Sequence, residues 1–352
     1  MTQPAPTLKN TLFLDAARGQ DTDRAPVWMM RQAGRYLPEY RAIKEKSNFW
    51  EMCRTPELTC EITLQPVTRL GVDAAILFQD IMTPLPPMGV DIEFSPGPVI
   101  AEPIRSEAHV NQLVVPNKDD IAPYVADAIK LITKESPVPL IGFGGAPLTL
   151  ATYLIQGSGS KDYAEFRQFL RYAPEAAHAL LDKLTEVSIR YLTMQVEAGA
   201  HAIQLFDSWA GLHSADIYAE FAKPYNQRIF DALKQFDVPR LYIAVDAFHL
   251  YSEIRSLACD VVSIDWRVPI NQVRPLLYGK VIQGNLDPAV LLAPKEVIAQ
   301  EAKRVLREGL GGAHIFNLGH GIMRQTDPDH AQHMIDVVKD FDRKRAKNVL
   351  GC

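Results

Sequence analysis

Cysteine is scarce in this chain. The four present, Cys53, Cys60, Cys259 and Cys352, form no C-x-x-C pair, and their spacing outlines neither a disulfide framework nor a thiolate metal site. Reduced thiols in a cytoplasmic protein are the expectation. There is no H-E-x-x-H, and His249 with Cys259 are too few ligands for a zinc site. No apolar run approaches the roughly 20 residues that span a bilayer. The stretch Met1–Asn10 is polar and contains proline, without the basic and apolar regions of a secretory signal, so no membrane association is expected. The formal net charge is only −5, which argues against a general affinity for nucleic acid. Gly/Ser-rich linkers, low-complexity tracts and charge blocks are missing as well, so 1–352 reads as a single domain.

What remains is an ordinary globular balance, 47% hydrophobic and 22% charged, in a chain of 352 residues. A chain this long can bury a large core without disulfides or a structural metal. Eight short apolar runs recur: Ala25–Met30, Ala74–Phe78, Pro139–Gly144, Ala202–Phe206, Arg240–Val245, Val261–Trp266, Lys280–Gln283 and Ala313–Asn317. Their continuous apolar character fits parallel strands covered on both faces. Amphipathic helices are predicted from Thr55 to about Leu70 and over Asp119–Glu135, Tyr163–Ala198, Ser214–Gln235, Pro294–Glu308 and Asp327–Lys347. Strand and helix in alternation imply βαβ units, and eight of them favour a closed (β/α)8 barrel over an open doubly wound sheet. The Pro-rich segment from Thr83 to Arg105 is predicted to be an insertion carrying a hairpin.

In such a barrel the active site lies at the C-terminal ends of the strands. The first run leads into Met30-Arg31-Gln32-Ala33-Gly34-Arg35. If helical, the two arginines share a face, where they repel unless an anion sits between them. The alternative is a pair of surface arginines bound to Glu39 and Glu45. The second run ends at Asp80, which suits either a loop cap or a ligand contact. The third leads through Gly142–Pro147 to Tyr153. Those glycines do not fit G-x-G-x-x-G, and Pro147 is expected to spoil the helix a dinucleotide site needs, so they are read as letting backbone approach a ligand. The fourth ends at Ser208, outside any G-x-S-x-G elbow, and the eighth at His320 between Gly319 and Gly321, whose N–H groups would suit an anion. Each residue has a structural alternative. Together they put an Arg pair, Asp, Tyr, Ser and His at one end of five strands, which favours a site for a carboxylate-rich ligand.

At these same residues the sequence resembles the uroporphyrinogen decarboxylase family. The block Ala25–Arg41 (APVWMMRQAGRYLPEYR) is similar to that family's most specific signature. Thr63–Pro66, Asp73–Phe78, Thr149–Tyr153, Gln204–Gly211, Gln283–Pro288 and Phe316–Gly321 fit its other blocks in order, from about Leu8 to Arg345. The resemblance implies a single (β/α)8 barrel, a homodimer with neighbouring clefts, and cofactor-free loss of four acetate carboxylates from uroporphyrinogen III to give coproporphyrinogen III in haem biosynthesis. It implies substrate contacts at Arg31, Gln32, Ala33, Gly34, Arg35, Asp80, Tyr153, Ser208 and His320, with Asp80 and Arg31 catalytic and no metal. Departures are Gln79 where a small Ser is usual, Gln156 where Glu is common, and Lys44 where some members carry a further arginine. Cobalamin-linked methyltransferases look like distant relatives on the same barrel, but their His-x-Cys zinc pattern does not occur here. A non-catalytic tetrapyrrole binder is the other alternative, and a turnover assay separates the three.

Overall fold

The most apolar runs become the most deeply buried strands. In the computed structural model, which describes residues 8–94 and 97–350, every residue of Leu140–Gly145 (β4), Ala202–Asp207 (β5) and Val281–Leu286 (β8) is buried. They belong to one seven-stranded parallel sheet in the order β1-β4-β5-β6-β7-β8-β9. Its other members are Ala75–Ile76 (β1), Arg240–Ala244 (β6), Val261–Ser263 (β7) and His314–Leu318 (β9). Parallel sheet neighbours that are successive in this way, with helices between them, are the βαβ pattern the alternation implied. The hairpin expected in the Thr83–Arg105 insertion is present as Ile92–Phe94 (β2) paired antiparallel with Pro98–Ile100 (β3); residues 95 and 96 fall outside the described chain, as does Cys352. It leans on the helix Pro147–Gln156 through Ile100 N–H to Gly157 O (2.8 Å) and Ile104 N–H to Leu154 O (2.9 Å).

The first predicted strand, Ala25–Met30, is a correction. It makes one parallel bridge, Val27 to Phe316, and no ladder. Pro26 has no N–H to donate. Of the next donors only Trp28 N–H reaches β9 backbone, Phe316 O at 3.4 Å; Val27 N–H is taken by Asp73 Oδ2 (2.8 Å), Met29 N–H by Gln32 Oε1 (3.0 Å) and Met30 N–H by Asn317 Oδ1 (3.1 Å). The segment nonetheless lies between β9 and the approach to β1. Phe316 N–H donates to Pro26 O (2.9 Å) on one side, and Asp73 N–H to Val27 O (2.8 Å) on the other. Asp73 itself is buried and gripped by both terminal nitrogens of Arg24, each at 2.7 Å.

Three predicted helices are each two. Tyr163–Ala198 is broken into Ala164–Tyr172 and Pro174–Glu197. Ser214–Gln235 is broken into Ala215–Phe221 and Lys223–Leu233. The first break falls at Ala173, just before Pro174, and the second at Ala222, two residues before Pro224; each proline sits in the first turn of the new helix, where its missing N–H is not needed. Asp327–Lys347 divides into Pro328–Lys339 and Arg343–Leu350. Pro147 likewise starts a helix, Pro147–Gln156, rather than spoiling one. Among the described residues, no helix is long and apolar enough to cross a membrane.

Inside the sheet's curl, three buried polar side chains join strands that are not neighbours. Trp28 Nε1–H donates to Gln283 Oε1 (2.9 Å), and Gln283 Nε2–H to Gln204 Oε1 (3.0 Å). β6 and β7 stand between β5 and β8 in the sheet, so a link from Gln204 to Gln283 spans its concave side. Each bond in the link offsets about 1–3 kcal/mol that its buried amide would cost unpaired, although Gln204 Nε2 keeps no partner among the described residues.

Candidate functional site

The segment after Met30 is not helical, so the two arginines do not share a helix face. Arg31 takes a positive φ of 63°, and the next helix starts only at Pro38. Both arginine side chains are exposed, and among the described residues neither has an ion-pair partner. Glu39 is instead bound by Arg69. Between them, Gln32 is fully buried and committed inward: its backbone N–H donates to Met29 O (3.0 Å) and its Nε2–H to Ala74 O (3.0 Å). Ala33 and Gly34 are half-buried, and Gly34 O accepts from Leu37 N–H (2.9 Å).

Asp80 stands beyond β1, half-buried, with one oxygen serving the loop. Its Oδ1 accepts from Met82 N–H at 2.9 Å, a local turn of the Asx kind. No hydrogen bond among the described residues falls on Oδ2. Burial pushes the carboxyl pKa up, while the Met82 N–H and the Arg31 cation hold it down. Arg31 therefore acts on Asp80 through space, beyond ion-pair distance.

Tyr153 projects from Pro147–Gln156 and packs edge-on against Trp209, ring centroids 5.9 Å apart. Trp209 in turn meets the Tyr163 ring at 4.4 Å. The Trp209 N–H stands near the Tyr153 hydroxyl without meeting hydrogen-bond geometry. Burial is the largest influence on that phenol and raises its pKa, with Asp80 adding to the rise and Arg31 opposing it. Ser208 is half-buried between Asp207 and Trp209, and its side chain makes no hydrogen bond among the described residues. His320, half-buried after β9, has its pKa pushed down to about 4 by burial, then by Arg31 and Arg267, with Asp265 pulling the other way. It is a neutral imidazole at pH 7. Arg31, Asp80, Tyr153 and His320 thus share one electrostatic neighbourhood.

The glycines differ from expectation. Gly319 N–H is already spent on Leu286 O (2.7 Å), and the residue is small because a Cβ would lie 2.4 Å from Trp266 N. Gly142 and Gly144 make room for helix Pro174–Glu197, where a Cβ at 142 would meet Gln195 Oε1 at 2.5 Å, so they serve packing and not a ligand. The three departures differ in their surroundings. Gln79 Nε2–H donates to Cys53 O (2.6 Å), Gln156 Oε1 is buried without a partner among the described residues, and Lys44 is exposed.

Beneath the strand ends lies a network the sequence did not reveal. Asp207, fully buried at the end of β5, accepts from Thr149 Oγ1–H (2.7 Å), Tyr242 OH (2.7 Å) and Asn226 Nδ2–H (3.1 Å). Burial raises its pKa against those three hydrogen bonds. Tyr218 OH lies 2.9 Å from Tyr242 OH; because Tyr242 gives its proton to Asp207, Tyr218 is the donor there. Among the described residues, no group of three or more His, Cys, Asp or Glu is placed to hold a metal ion.

The fold and these strand ends define a parallel α/β protein with an acid, Asp80, near the Arg31 cation, which has no ion-pair partner among the described residues. The family described as uroporphyrinogen decarboxylase (URO-D) matches residues 8–341. Proteins named uroporphyrinogen decarboxylase from Geobacter metallireducens and Geobacter sulfurreducens are 49% and 47% identical over 339 residues, covering 95% of this chain and 100% of each relative. Among solved structures, a methyltransferase from Methanosarcina mazei superposes with a TM-score of 0.80 at 22% identity, covering 96% of this chain and 99% of that one. A B12-independent methionine synthase from Shewanella gives a TM-score of 0.58 at 12% identity, over 94% and 97%. Both structural likenesses concern the fold alone. The chain belongs to the uroporphyrinogen decarboxylase family, and it is a carboxy-lyase.

Proposed function

We propose that the chain converts uroporphyrinogen III to coproporphyrinogen III by removing its four acetate carboxylates as CO2, without a cofactor. The observation that carries this is Arg31, unpartnered among the described residues, in the electrostatic neighbourhood of Asp80, whose Oδ2 accepts no hydrogen bond there, with a second unpartnered arginine, Arg35, four residues on. Cations left free at a strand-end mouth match a ligand made of carboxylates, since guanidinium forks fit them well. A carboxylate offers about four lone-pair sites, enough to accept from the pyrrole N–H groups of a domed porphyrinogen.

The chemistry follows from the pyrrole, which is its own electron sink. A proton adds to the ring carbon beside the acetate-bearing carbon and leaves an iminium-like cation. The bond to the carboxylate then breaks, CO2 departs, and its electron pair neutralises the ring. A proton then adds to the resulting methylene to complete the methyl group, and the proton first added leaves the ring carbon, restoring the neutral aromatic pyrrole. Asp80, beneath the ring, stabilises the cation electrostatically, an effect strongest in a partly desolvated site with fixed groups. Arg31 and Arg35 grip substrate carboxylates, with Ala33, Gly34 and Gln32 shaping the backbone between them. Tyr153, Ser208 and neutral His320 contribute hydrogen bonds to side-chain carboxylates.

Around this site we read the Ala25–Met30 segment as the eighth stave of a closed (β/α)8 barrel, supported by its hydrogen bonds to β9 and to Asp73 just before β1. We take 1–352 as one domain, working in the cytoplasm as a homodimer with adjacent clefts, as family membership supports. The test is direct. Purified chain given uroporphyrinogen III as sole reactant should yield coproporphyrinogen III by chromatography; unchanged substrate from folded protein overturns the reading.

A further inference from the structure

We propose that Asp207 and Thr149 form a positioning pair, fixing the spacing between Tyr153 on its helix and Ser208–Trp209 at the end of β5, and so setting how tightly one side of the tetrapyrrole is held. This rests on the functional reading above. Thr149 lies one helical turn before Tyr153, so movement of one carries the other. Its hydroxyl works in two directions: it donates to Asp207 Oδ1 at 2.7 Å and accepts Trp209 N–H at 3.3 Å. Asp207 is the residue immediately before Ser208, and Asn226 and Tyr242 fix its other oxygen. A backbone bond, Ala146 N–H to Phe206 O (2.8 Å), ties the same two elements one step deeper. The Trp209 ring then carries the spacing to Tyr153 and Tyr163. A buried carboxylate fixed by three neutral donors holds this corner more stiffly than an exposed contact would, because breaking any one bond leaves a buried group unpaired.

Thr149→Val keeps the side-chain volume and removes the hydroxyl, whereas Thr149→Ser keeps the hydroxyl. The valine variant should raise KM for uroporphyrinogen on the order of five- to tenfold, the effect of one net hydrogen bond, with kcat little changed. The serine variant should restore the wild-type KM. A second readout needs no substrate: Trp209 emission, obtained as the difference between each protein and its Trp209→Phe counterpart. In Thr149→Val it should shift to the red and become more accessible to acrylamide, and in Thr149→Ser it should not. If the valine variant does not fold, Asp207→Asn is read by the same fluorescence. Wild-type Trp209 emission together with wild-type KM in a folded variant overturns the proposal, as does serine behaving like valine. If no variant and no wild-type protein turns over uroporphyrinogen, the functional reading has failed, and the fluorescence still decides the positioning role.

Discussion

The Arg31 side chain lies against the backbone of Gly321. A Cβ at position 321 would fall 2.5 Å from Arg31 Cδ and 3.1 Å from its Nε. Since Gly321 does not use a positive φ, alanine suits its backbone, and the conflict lands wholly on Arg31. Gly321→Ala should therefore move the guanidinium without unfolding the protein. Losing one charge-assisted hydrogen bond costs about 1.5–3 kcal/mol, roughly tenfold to a hundredfold in affinity. Steady-state kinetics beside a thermal melt check this: raised KM with a near wild-type melting temperature is expected, and unchanged kinetics would remove Arg31 from the site.

Asp80 separates charge from shape. Asp80→Asn keeps an oxygen for the Met82 N–H, so its melting temperature should stay close to wild type. Its kcat should fall on the order of 10²–10³, the usual effect of removing one preorganised stabilising group. Asp80→Glu keeps the charge one methylene further out and should retain more turnover than Asn. Because burial raises the Asp80 pKa, kcat of the wild type should also decline as pH falls through that raised value. An Asn variant as active as wild type would leave Asp80 as a loop cap.

His320 should not give the pH profile a histidine limb near neutrality. With a folded pKa of about 4 against an ordinary 6.5, it is neutral in the working range. The sign for stability follows. Between pH 6.5 and 4 the unfolded chain binds a proton that the folded chain refuses, so this contribution to stability is lost as pH falls through that window. His213, also pushed down to about 4 by burial, acts in the same direction. Melting temperature should drop from pH 6.5 to 4, less steeply in His320→Asn, which should keep measurable turnover. An NMR titration placing the His320 pKa near 6.5 would contradict both statements.

Exhaustive chelation and dialysis should leave turnover intact, because the proposed steps use only the pyrrole and side chains of this chain. Assay before and after, with divalent metals added back, is the check. Activity lost and then restored by one metal would point to a site outside this account.

Much of the frame was legible because β4, β5 and β8 are buried on both faces, which writes itself as unbroken apolar runs. The first run failed for a reason an apolar pattern cannot carry. Pro26 gives no donor, Asp73 and Asn317 capture Val27 and Met30 N–H from far along the chain, and Gln32 captures Met29 N–H locally. The helix breaks at Pro174 and Pro224 were visible as prolines but overridden by an amphipathic period that continues across them. At the candidate site, the shared neighbourhood of Asp80, Tyr153 and His320 was legible because these residues follow apolar runs and fall within or beside the family's blocks. Asp207 with Thr149, and Trp28 with Gln283, were not: their hydrogen bonds join residues 58 and 255 positions apart, a separation no local pattern encodes.

The central claim is decarboxylation by this chain alone, and CO2 counted against tetrapyrrole tests it most directly. Purified protein, reduced uroporphyrinogen III and no other reactant should release CO2 until four molecules have left each tetrapyrrole, with hepta-, hexa- and pentacarboxylate species appearing and vanishing on the way. Tetrapyrrole bound tightly by folded protein, with no CO2 above the protein-free control, would contradict the account and make the chain a binder instead.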